Sequence, residues 1–309
     1  MTLQQLKYVI AIDAYRSFAK ASEACQVSQP TLSAMLQKLE EELDVRIFER
    51  SNKSVMPTAI GEKIIRQAER VIAESRRIEE IVSENKDVVS GTLALSVGPT
   101  IAPYILPQFI RNYVERYPFV DLAIKELKVS DMIASLLRGE IDAGIAISGN
   151  AVAGVYEIPL YTEPFWVYLS ESCWRKLPVF KPENLEHENM WIMRDAQCLR
   201  ESAFSFCKAR DKGRRIYEAG TIDTLIRIVD ENGGFTIIPE MHLPLLDERQ
   251  RANVRRIDGD HLSQRSVSLY IRHDYVRERT INTVTDTLKL IIPEKMIAER
   301  VRKYGVRLR

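Results

Sequence analysis

A long amphipathic segment near the start of the chain limits the possible folds more than any other feature. It opens at Pro57-Thr58 and closes at Ser90-Gly91, and a helix of about 30 residues is about 45 Å long. Such a helix is too long to fold back into a small domain, so the sequence predicts a linker helix over 59–90. Apolar and small side chains recur along it at alternating steps of four and three residues, as in a coiled coil. They are Ile64, Ala68, Val71, Ser75, Ile78 and Val82.

This stripe predicts a dimer. The other faces of the helix are polar, so only the stripe needs to be buried, and the same stripe on a second copy of the chain is the simplest surface to cover it. We expect the dimer contacts to come from Ile64, Ala68, Val71, Ile78 and Val82. The alternative is a helix that packs on its own effector region.

Residues 1–58 predict a small DNA-binding domain ahead of the linker. Apolar periodicity indicates a first helix, and Ser17 and Ser28 are placed to cap a second and a third. Pro30 falls in the first turn of the third helix, where its missing N–H costs nothing. The stretch 45–56 alternates apolar and polar residues around an Asn-Lys-Ser centre, which predicts a short hairpin. The whole pattern is that of a winged helix-turn-helix.

The third helix carries the residues that we expect to read DNA. The net charge of +1 is not the basic surplus of a general nucleic-acid binder, so DNA binding is inferred from local placement. Short donors and acceptors, which can reach base edges in a major groove, crowd its outer face. They are Ser28, Gln29, Pro30, Thr31, Ser33 and Gln37, with Lys38, Arg50 and Lys53 expected to bind phosphates.

After Ser90-Gly91, strand and helix patterns alternate, which predicts parallel, helix-covered sheets in two α/β lobes. The first set comprises strands at 93–97, 122–125 and 143–147, a helix from Thr100 and a helix over 131–138. The second set comprises strands at 165–169, 190–193 and 235–238, a helix near 198–209 and a helix over 222–231. A strand at 267–271 and a helix over 280–290 are expected to return to the first lobe. The predicted regulatory domain is 91–309, with lobe I about 91–163 and 267–309 and lobe II about 164–266.

The chain resembles LysR-type transcriptional regulators over its whole length. The resemblance rests on Phe18-x2-Ala21, Ala24, Val27-Ser28-Gln29-Pro30-Thr31-Leu32-Ser33, Leu39-Glu40-x2-Leu43, Phe48-x-Arg50 and Thr58-x2-Gly61. It implies an all-α winged helix-turn-helix, a coiled-coil linker helix and two Rossmann-like lobes resembling periplasmic binding proteins. It also implies a homotetramer, built as a dimer of dimers, that binds double-stranded promoter DNA and acts on RNA polymerase.

The expected compartment decides how the cysteines are interpreted. The first residues lack the pattern of a secretory signal, and no apolar run reaches the roughly 18 residues of a membrane span, so we expect a cytoplasmic protein without a membrane segment. In a reducing cytoplasm a cysteine pair placed for oxidation is regulatory more often than structural. The four cysteines are Cys25, Cys173, Cys198 and Cys207, of which we interpret Cys25 and Cys173 as structural.

Cys198 and Cys207 lie nine residues apart in a segment rich in helix formers. Along a helix, nine residues rise about 13.5 Å and turn about 900°, which leaves the two side chains on opposite faces. A disulfide needs α-carbons about 4.4–6.8 Å apart, so the pair cannot join while such a helix is intact. Oxidation would therefore have to unwind the helix, which converts a redox event into a local change of fold.

Two further segments resemble the peroxide-sensing members of the family, namely Gly98-Pro99-Thr100-x3-Tyr104-x-Leu106-Pro107 and Cys198-Leu199-Arg200-x5-Phe206-Cys207. The resemblance implies that Cys198 reacts with hydrogen peroxide and that Cys207 resolves the product, and that thioredoxin- or glutaredoxin-type reductants reset the pair. It also implies that Thr100 hydrogen-bonds the peroxide and that Arg265 helps to hold charge near the thiolate. The position of Cys198 near a helix start, beside Arg194 and Arg200, would favour the thiolate as well.

Two positions depart from the pattern of the peroxide sensors. Gln197 stands where those proteins have a histidine before the reactive cysteine, and Val129 stands where they have a second pocket threonine. The hydroxyl of Ser130 is the expected replacement for the missing threonine. If Ser130 does not replace this threonine, we expect the protein to react with peroxide less readily than other peroxide sensors of the family.

Other functions remain open at the level of sequence. The histidines share no ligand spacing with the cysteines, and no phosphate-binding glycine loop is present, so we expect no metal, no cofactor and no enzyme activity. The alternatives are a LysR regulator that binds a small metabolite between its lobes, with both thiols simply buried, and a thiol peroxidase. Saturable metabolite binding under reducing conditions would favour the first, and sustained peroxide turnover would favour the second.

Overall fold

The computed structural model of the chain describes residues 1–51, 54–84, 88–174, 190–193, 214–217, 221–256, 264–275 and 277–306. Its contacts separate two units, one made of Met1–Lys86 and Leu137–Glu140 and a larger one made of Asp87–Leu136 and Ile141–Arg309. The first unit contains the predicted DNA-binding domain, and the second contains the predicted two-lobed region. The residue limits given above for the domains stay predictions.

Three helices begin the first unit, and the second and third begin at the caps expected from the sequence. They are α1 (Leu3–Tyr15), α2 (Phe18–Ala24) and α3 (Gln29–Leu43). The hydroxyl of Ser17 accepts a hydrogen bond from the backbone N–H of Lys20, and the hydroxyl of Ser28 accepts one from Thr31. These bonds satisfy N–H groups that have no partner within the first turn, so they define where α2 and α3 begin.

A hairpin and a long helix complete the first unit. β1 (Phe48–Ser51) pairs antiparallel with β2 (Ser54–Pro57), and α4 (Ala59–Glu84) follows almost at once. Buried side chains from the helices and from β1 form one core, which includes Leu6, Val9, Ile12, Leu32, Leu36, Leu39 and Phe48. The predicted winged helix-turn-helix is confirmed.

The first half of α4 packs on its own unit, and this core includes one residue of the predicted dimer seam. Ala68 is only 3% exposed and lies in the core with Ile65 and Ile72, two residues that the predicted stripe left out. Ile64 and Val71 are partly buried against the same core. Because α1 covers this half of the helix, these positions are mostly occupied within a single copy of the chain.

The second half of α4 keeps an open apolar position. Ile78 is 68% exposed, so it is free to contact another chain. The side chain of Val82 lies outside the described residues. The dimer contacts predicted for Ile64, Val71, Ile78 and Val82 stay predictions, whereas Ala68 is used within its own unit.

The larger unit starts with alternating strands and helices. They are β3 (Gly91–Val97), α5 (Ala102–Arg116), β4 (Val120–Glu126), α6 (Val129–Arg138) and β5 (Ala143–Ile147). β3 lies between β4 and β5 and is parallel to both, as predicted. One boundary is corrected, because α5 begins at Ala102 and not at Thr100. Ile101 is the cap residue and makes no side-chain hydrogen bond, so Thr100 lies in the turn before the helix.

A single strand, β6 (Val155–Leu169), runs through both lobes. Its residues 155–164 pair antiparallel with β11 (Gln264–Arg272), and its residues 165–169 pair antiparallel with β9 (Phe235–Pro239). β11 is also antiparallel to β5. The prediction of parallel sheets is therefore wrong for β6 and β11, since strands that cross between the lobes return the chain in the opposite direction.

Among the described residues, the second lobe contains the remaining strands and three helices around β9. They are α7 (Glu171–Trp174), β7 (Met190–Met193), β8 (Arg214–Tyr217), α8 (Ile222–Asn232), α9 (Glu248–Ala252) and β10 (Val254–Arg256). β7 is parallel to both β8 and β9. The predicted helix near 198–209 lies outside the described residues.

Together the strands form one sheet with the order β4-β3-β5-β11-β6-β9-β7-β8, and β10 pairs with β6. The chain closes with α10 (Glu278–Leu288) and α11 (Glu299–Tyr304), and 3₁₀ turns occur at Glu240–Leu245 and Glu294–Met296. The predicted two-lobed α/β region is confirmed. Within the described ranges, no helix has the length and apolar character needed to cross a lipid bilayer.

Candidate functional site

The outer face of α3 presents the polar residues expected from the sequence. The side chains of Ser28, Gln29, Pro30, Thr31, Gln37 and Lys38 are exposed, and Ser33 is partly buried. Internal hydrogen bonds order this surface: the hydroxyls of Ser28 and Thr31 are 2.8 Å apart, and Gln37 Nε2 donates to Glu41 Oε1 over 2.8 Å. Arg50 lies in β1, but its side chain is not among those described, and Lys53 lies outside the described residues.

One acidic residue of the family motif is structural. Glu40 is buried, and its Oε1 accepts hydrogen bonds from the backbone N–H groups of Ile47 (2.7 Å) and Phe48 (3.2 Å). This carboxylate thus satisfies the donors at the entry to the hairpin. The position of the hairpin relative to α3 depends on it.

Thr58 and Gly61 fix the start of α4 against the hairpin. The hydroxyl of Thr58 donates to the carbonyl oxygen of Arg46 (2.6 Å) and accepts from the N–H of Gly61 (2.9 Å). A β-carbon at Gly61 would overlap the carbonyl oxygen of Ile47. Glycine is therefore required here by close approach of the backbones.

Two residues of the predicted peroxide pocket lie at one edge of the first lobe. Thr100 follows β3, and Ser130 lies in the first turn of α6, directly after β4. β3 and β4 are parallel and end together, with Val97 opposite Glu126. Carboxyl ends of parallel strands are where open α/β sheets bind ligands. Ser130 is exposed, so its hydroxyl is accessible at this edge.

Arg265, the third described residue of the predicted pocket, is 4% exposed and reaches Thr100. Its Nη1 donates to Thr100 Oγ1 (3.0 Å) and its Nη2 donates to the carbonyl oxygen of Thr100 (3.2 Å). The resemblance implied that both residues serve one pocket, and the geometry brings them into direct contact.

Sequence reasoning missed the partner of Arg265. Glu163 is 0% exposed, and its Oε1 lies 2.8 Å from Arg265 Nε. The same oxygen accepts from the hydroxyl of Tyr104 (2.8 Å), and Oε2 accepts from the N–H of Met241 (3.1 Å). The sequence does offer a signal for this pair. Glu163 is a charged residue in an otherwise mostly apolar strand, and a carboxylate in a buried strand needs a cationic partner.

Two buried tyrosines extend this network. Tyr104 gives its only proton to Glu163, so in its 3.1 Å contact with Tyr161 the latter is the donor. Burial raises the pKa of Tyr104 well above its ordinary value, with an opposing effect from the Arg265 cation, and burial raises that of Tyr161 as well. Both tyrosines therefore act as neutral hydrogen-bonding groups.

A buried histidine lies in the turn that follows β9. His242 is 0% exposed, and its Nε2 is 3.4 Å from Asp223 Oδ1, without the geometry of a hydrogen bond. Burial lowers the pKa of His242, which the Asp223 carboxylate partly opposes. The imidazole is therefore neutral at pH 7.

The predicted redox pair, Cys198 and Cys207, lies outside the described residues, as do Gln197 and Arg200 of the predicted pocket. Cys25 is partly buried against the core of the first unit, and burial raises the pKa of its thiol. The side chain of Cys173 is not among those described. Among the described residues, no group of three or more His, Cys, Asp or Glu side chains is arranged to hold a metal.

A winged helix-turn-helix followed by a long helix and a two-lobed α/β region defines a class, the DNA-binding transcription regulators with an effector domain. The chain belongs to the LysR family. Residues 3–62 match the bacterial regulatory helix-turn-helix protein of the lysR family, and residues 86–290 match the LysR substrate binding domain.

Individual relatives narrow the comparison. The hydrogen peroxide-inducible genes activator of Pectobacterium carotovorum subsp. carotovorum is 30% identical over 256 residues, which cover 82% of this chain and 84% of that protein. The DNA-binding transcriptional dual regulator OxyR of Escherichia coli K12 is 30% identical over 256 residues, which cover 82% and 83% of the two chains. Among solved structures, a cysteine-to-aspartate variant of full-length OxyR from Pseudomonas aeruginosa matches with a TM-score of 0.77 and 27% identity, over 97% of this chain and 98% of that one.

Proposed function

We propose that the protein is a redox-sensing transcription activator that responds to hydrogen peroxide. The observation that carries this proposal is the contact between Arg265 and the hydroxyl of Thr100 at the carboxyl edge of β3, where a ligand of an α/β sheet is expected. Support also comes from relatives that are named hydrogen peroxide-inducible genes activators and are 30% identical over most of the chain.

The proposed chemistry uses Cys198 and Cys207. The Cys198 thiolate attacks one oxygen of hydrogen peroxide, the O–O bond breaks, and the products are a sulfenic acid and a hydroxide ion that takes up a proton. The Cys207 thiol then attacks the Cys198 sulfur, which forms an intramolecular disulfide and releases water. A thioredoxin- or glutaredoxin-type dithiol restores both thiols and is itself oxidised to a disulfide.

The remaining pocket residues have proposed roles in holding the peroxide. Thr100 and Ser130 provide hydroxyl groups, and Gln197 provides an amide in place of a histidine. Arg200, near the reactive sulfur in sequence, favours the thiolate.

The signal would reach DNA through a change of fold. If residues 198–209 form a helix in the reduced protein, disulfide formation has to unwind it, and the lobe then adopts a second shape. We propose that this change alters how the copies of a homotetramer, a dimer of dimers, sit on promoter DNA and so affects RNA polymerase. The open position Ile78 supports a contact between copies along the later turns of α4.

In the proposed DNA complex, α3 enters the major groove. Ser28, Gln29, Thr31, Ser33 and Gln37 reach base edges, and Pro30 sets the start of the helix. Lys38, Arg50 and Lys53 bind phosphates. Ser33→Arg is expected to abolish specific operator binding and to leave the melting temperature nearly unchanged; unchanged operator affinity would refute this placement.

The experiment that tests the proposal treats the purified, reduced protein with one equivalent of hydrogen peroxide. Disulfides are mapped by mass spectrometry, and promoter footprints are compared for the wild type, Cys198→Ser and Cys207→Ser. We expect a Cys198–Cys207 disulfide and a changed footprint in the wild type alone. If Cys198→Ser shows the same peroxide-dependent change of footprint as the wild type, the proposal is overturned.

A second candidate is a small metabolite bound between the lobes, which the match to a substrate binding domain favours. Titration calorimetry of the reduced protein with candidate metabolites separates the two. Saturable binding that changes the footprint without oxidation would support the metabolite.

A further inference from the structure

The positive charge of Arg265 is compensated inside the protein. Glu163 is 0% exposed and Arg265 is 4% exposed, and the carboxylate oxygen lies 2.8 Å from Nε of the guanidinium. A buried ion pair at this distance is nearly neutral when viewed from outside. Arg265 therefore cannot act toward a bound ligand as an isolated cation would, which is the role that the family resemblance suggested.

What Arg265 does is orient a hydroxyl. A guanidinium group has donors only, and a threonine hydroxyl has one proton. Because Arg265 Nη1 donates to Thr100 Oγ1 over 3.0 Å, the proton of Thr100 has to point away from Arg265. Thr100 is then a donor toward a ligand at this edge, and a peroxide oxygen is an acceptor.

The orientation of Arg265 depends in turn on Glu163. Arg265 Nη2 donates to the hydroxyl of Tyr104 (2.6 Å), which donates to Glu163 Oε1 (2.8 Å), and this oxygen also accepts from Arg265 Nε. These three bonds close a ring that fixes the plane of the guanidinium. The other oxygen, Oε2, accepts from the N–H of Met241, which ties the ring to the turn after β9.

We propose that Glu163 is a positioning residue for the peroxide reaction: it holds Arg265 so that Thr100 donates a hydrogen bond to the peroxide. This inference rests on the proposed function. The inference predicts that Cys198 is selective for peroxide over other electrophiles. The reason is that the Glu163–Arg265–Thr100 arrangement acts on the bound peroxide and not on the nucleophilicity of the Cys198 sulfur. Loss of Glu163 should slow the attack on peroxide far more than the attack on an electrophile that needs no hydrogen bond at Thr100.

The test is Glu163→Gln in the full chain, with Cys207→Ser to stop the reaction at the first step. A glutamine can offer only one acceptor oxygen, so it cannot serve Oε1 and Oε2 partners together, and it removes the negative charge. The rates of Cys198 oxidation by hydrogen peroxide and of Cys198 alkylation by iodoacetamide are measured at one pH by mass spectrometry of the Cys198 peptide. We expect the ratio of the two rates to fall at least tenfold, while alkylation changes less than threefold.

Controls separate positioning from a loss of structure. Glu157→Gln replaces another carboxylate of β6 that accepts a backbone N–H, from Gly149, and is expected to keep the wild-type ratio. Tyr104→Phe opens the ring of hydrogen bonds without removing a charge. The ratio of the peroxide rate to the alkylation rate should fall in this variant too, by a smaller factor than in Glu163→Gln. If Glu163→Gln does not fold, this variant tests the inference in its place. In a Thr100→Val background, Glu163→Gln should change the ratio no further.

The outcomes are distinguishable. If Cys198 of the wild type prefers peroxide no more than free cysteine does, the proposed function fails and the inference fails with it. If the wild type prefers peroxide and Glu163→Gln keeps that preference, the inference alone is overturned. A rise of both rates together in Glu163→Gln would also overturn it, because that pattern belongs to a cation acting directly on the thiolate.

Discussion

The two units of the molecule each bury a glutamate, and they use it differently. In the first unit, Glu40 binds the backbone N–H groups of Ile47 and Phe48, seven and eight residues away. In the second unit, Glu163 binds the side chain of Arg265, 102 residues away. The first carboxylate holds a local turn of the chain, whereas the second holds together segments that only the tertiary fold brings close.

This difference fits the functions proposed for the two units. The polar groups buried in the first unit bind its own backbone, which leaves the exposed residues of α3 to face a partner. In the second unit, the buried side chains of Glu163, Arg265 and Tyr104 bind one another and join β6 and β11 to α5. A change at one of these groups reaches the others, as a sensing site requires.

The largest effect expected from this contrast is that of Arg265→Met. The substitution leaves Glu163 buried without its cation, which typically costs about 3–5 kcal/mol in the free energy of unfolding. The double variant Arg265→Met with Glu163→Gln removes both charges and should recover a large part of this loss. Urea denaturation of the full chain measures both, and a double variant less stable than Arg265→Met would contradict the pairing.

A large effect is also expected in the first unit from Gly61→Ala. The new methyl group would overlap the backbone oxygen of Ile47, and such overpacking costs about 3 kcal/mol when the neighbour cannot move. Gly98→Ala in the second unit is the matched control, since its β-carbon would meet Ile145 O at an ordinary 3.6 Å. Thermal unfolding should separate the two variants clearly, and equal melting temperatures would show that the hairpin can shift.

A smaller effect is expected for Glu40→Gln. Both N–H groups are accepted by Oε1, so an amide oxygen can keep them, and the loss should be about 1 kcal/mol from the weaker hydrogen bonds. Glu40→Ala removes both bonds and should cost about 2–3 kcal/mol or more. If Glu40→Gln were as damaging as Glu40→Ala, the charge and not the local hydrogen bonding would be responsible, and the contrast with Glu163 would disappear.

The smallest effect concerns pH. Burial lowers the pKa of His242 in the folded protein, so the unfolded chain binds more protons near its ordinary pKa of about 6.5. The stability is therefore complete above about pH 6.5 and is lost as the pH falls toward the lower folded value. His242→Gln should show a smaller drop in melting temperature between pH 7 and pH 5 than the wild type. An equal drop would show that His242 is not the source of the pH dependence.

The first unit serves as a control for this pH dependence. The chain has four histidines, and all of them follow Lys86 in the sequence: His187, His242, His261 and His273. A spectroscopic probe in the first unit should therefore show no such loss of stability.

The range of the contacts also decides what could be predicted from the sequence. Caps such as Ser17 and Ser28 bind N–H groups three residues later, so a pattern of residues was enough to place α2, α3 and the hairpin. The strands of the lobes were found by their apolar runs, but the first half of β6 was missed, because prolines and charged residues interrupt it. The role of Glu163 depends on a partner 102 residues away, and no local pattern shows such a pair.

The same reasoning explains why the predicted dimer seam included Ala68. A heptad pattern shows that one face of α4 is apolar, but it does not say which partner covers that face. Helix α1, whose own apolar side chains need cover, packs on the first turns of α4 and buries Ala68. Which of the remaining seam residues contact another copy of the chain stays a prediction.

The continuity of β6 has a mechanical consequence. Because the two lobes share one strand, they cannot turn about a loose connecting loop, and a change in the angle between them has to come from torsion of the strand itself. The ladder with β11 is already irregular at one point, where Val267 faces Tyr161 and Ser268 faces Pro159, and such bulges increase local twist. Glu163 lies only a few residues further along, so a rotation of one lobe would change the angle at which its carboxylate meets the guanidinium.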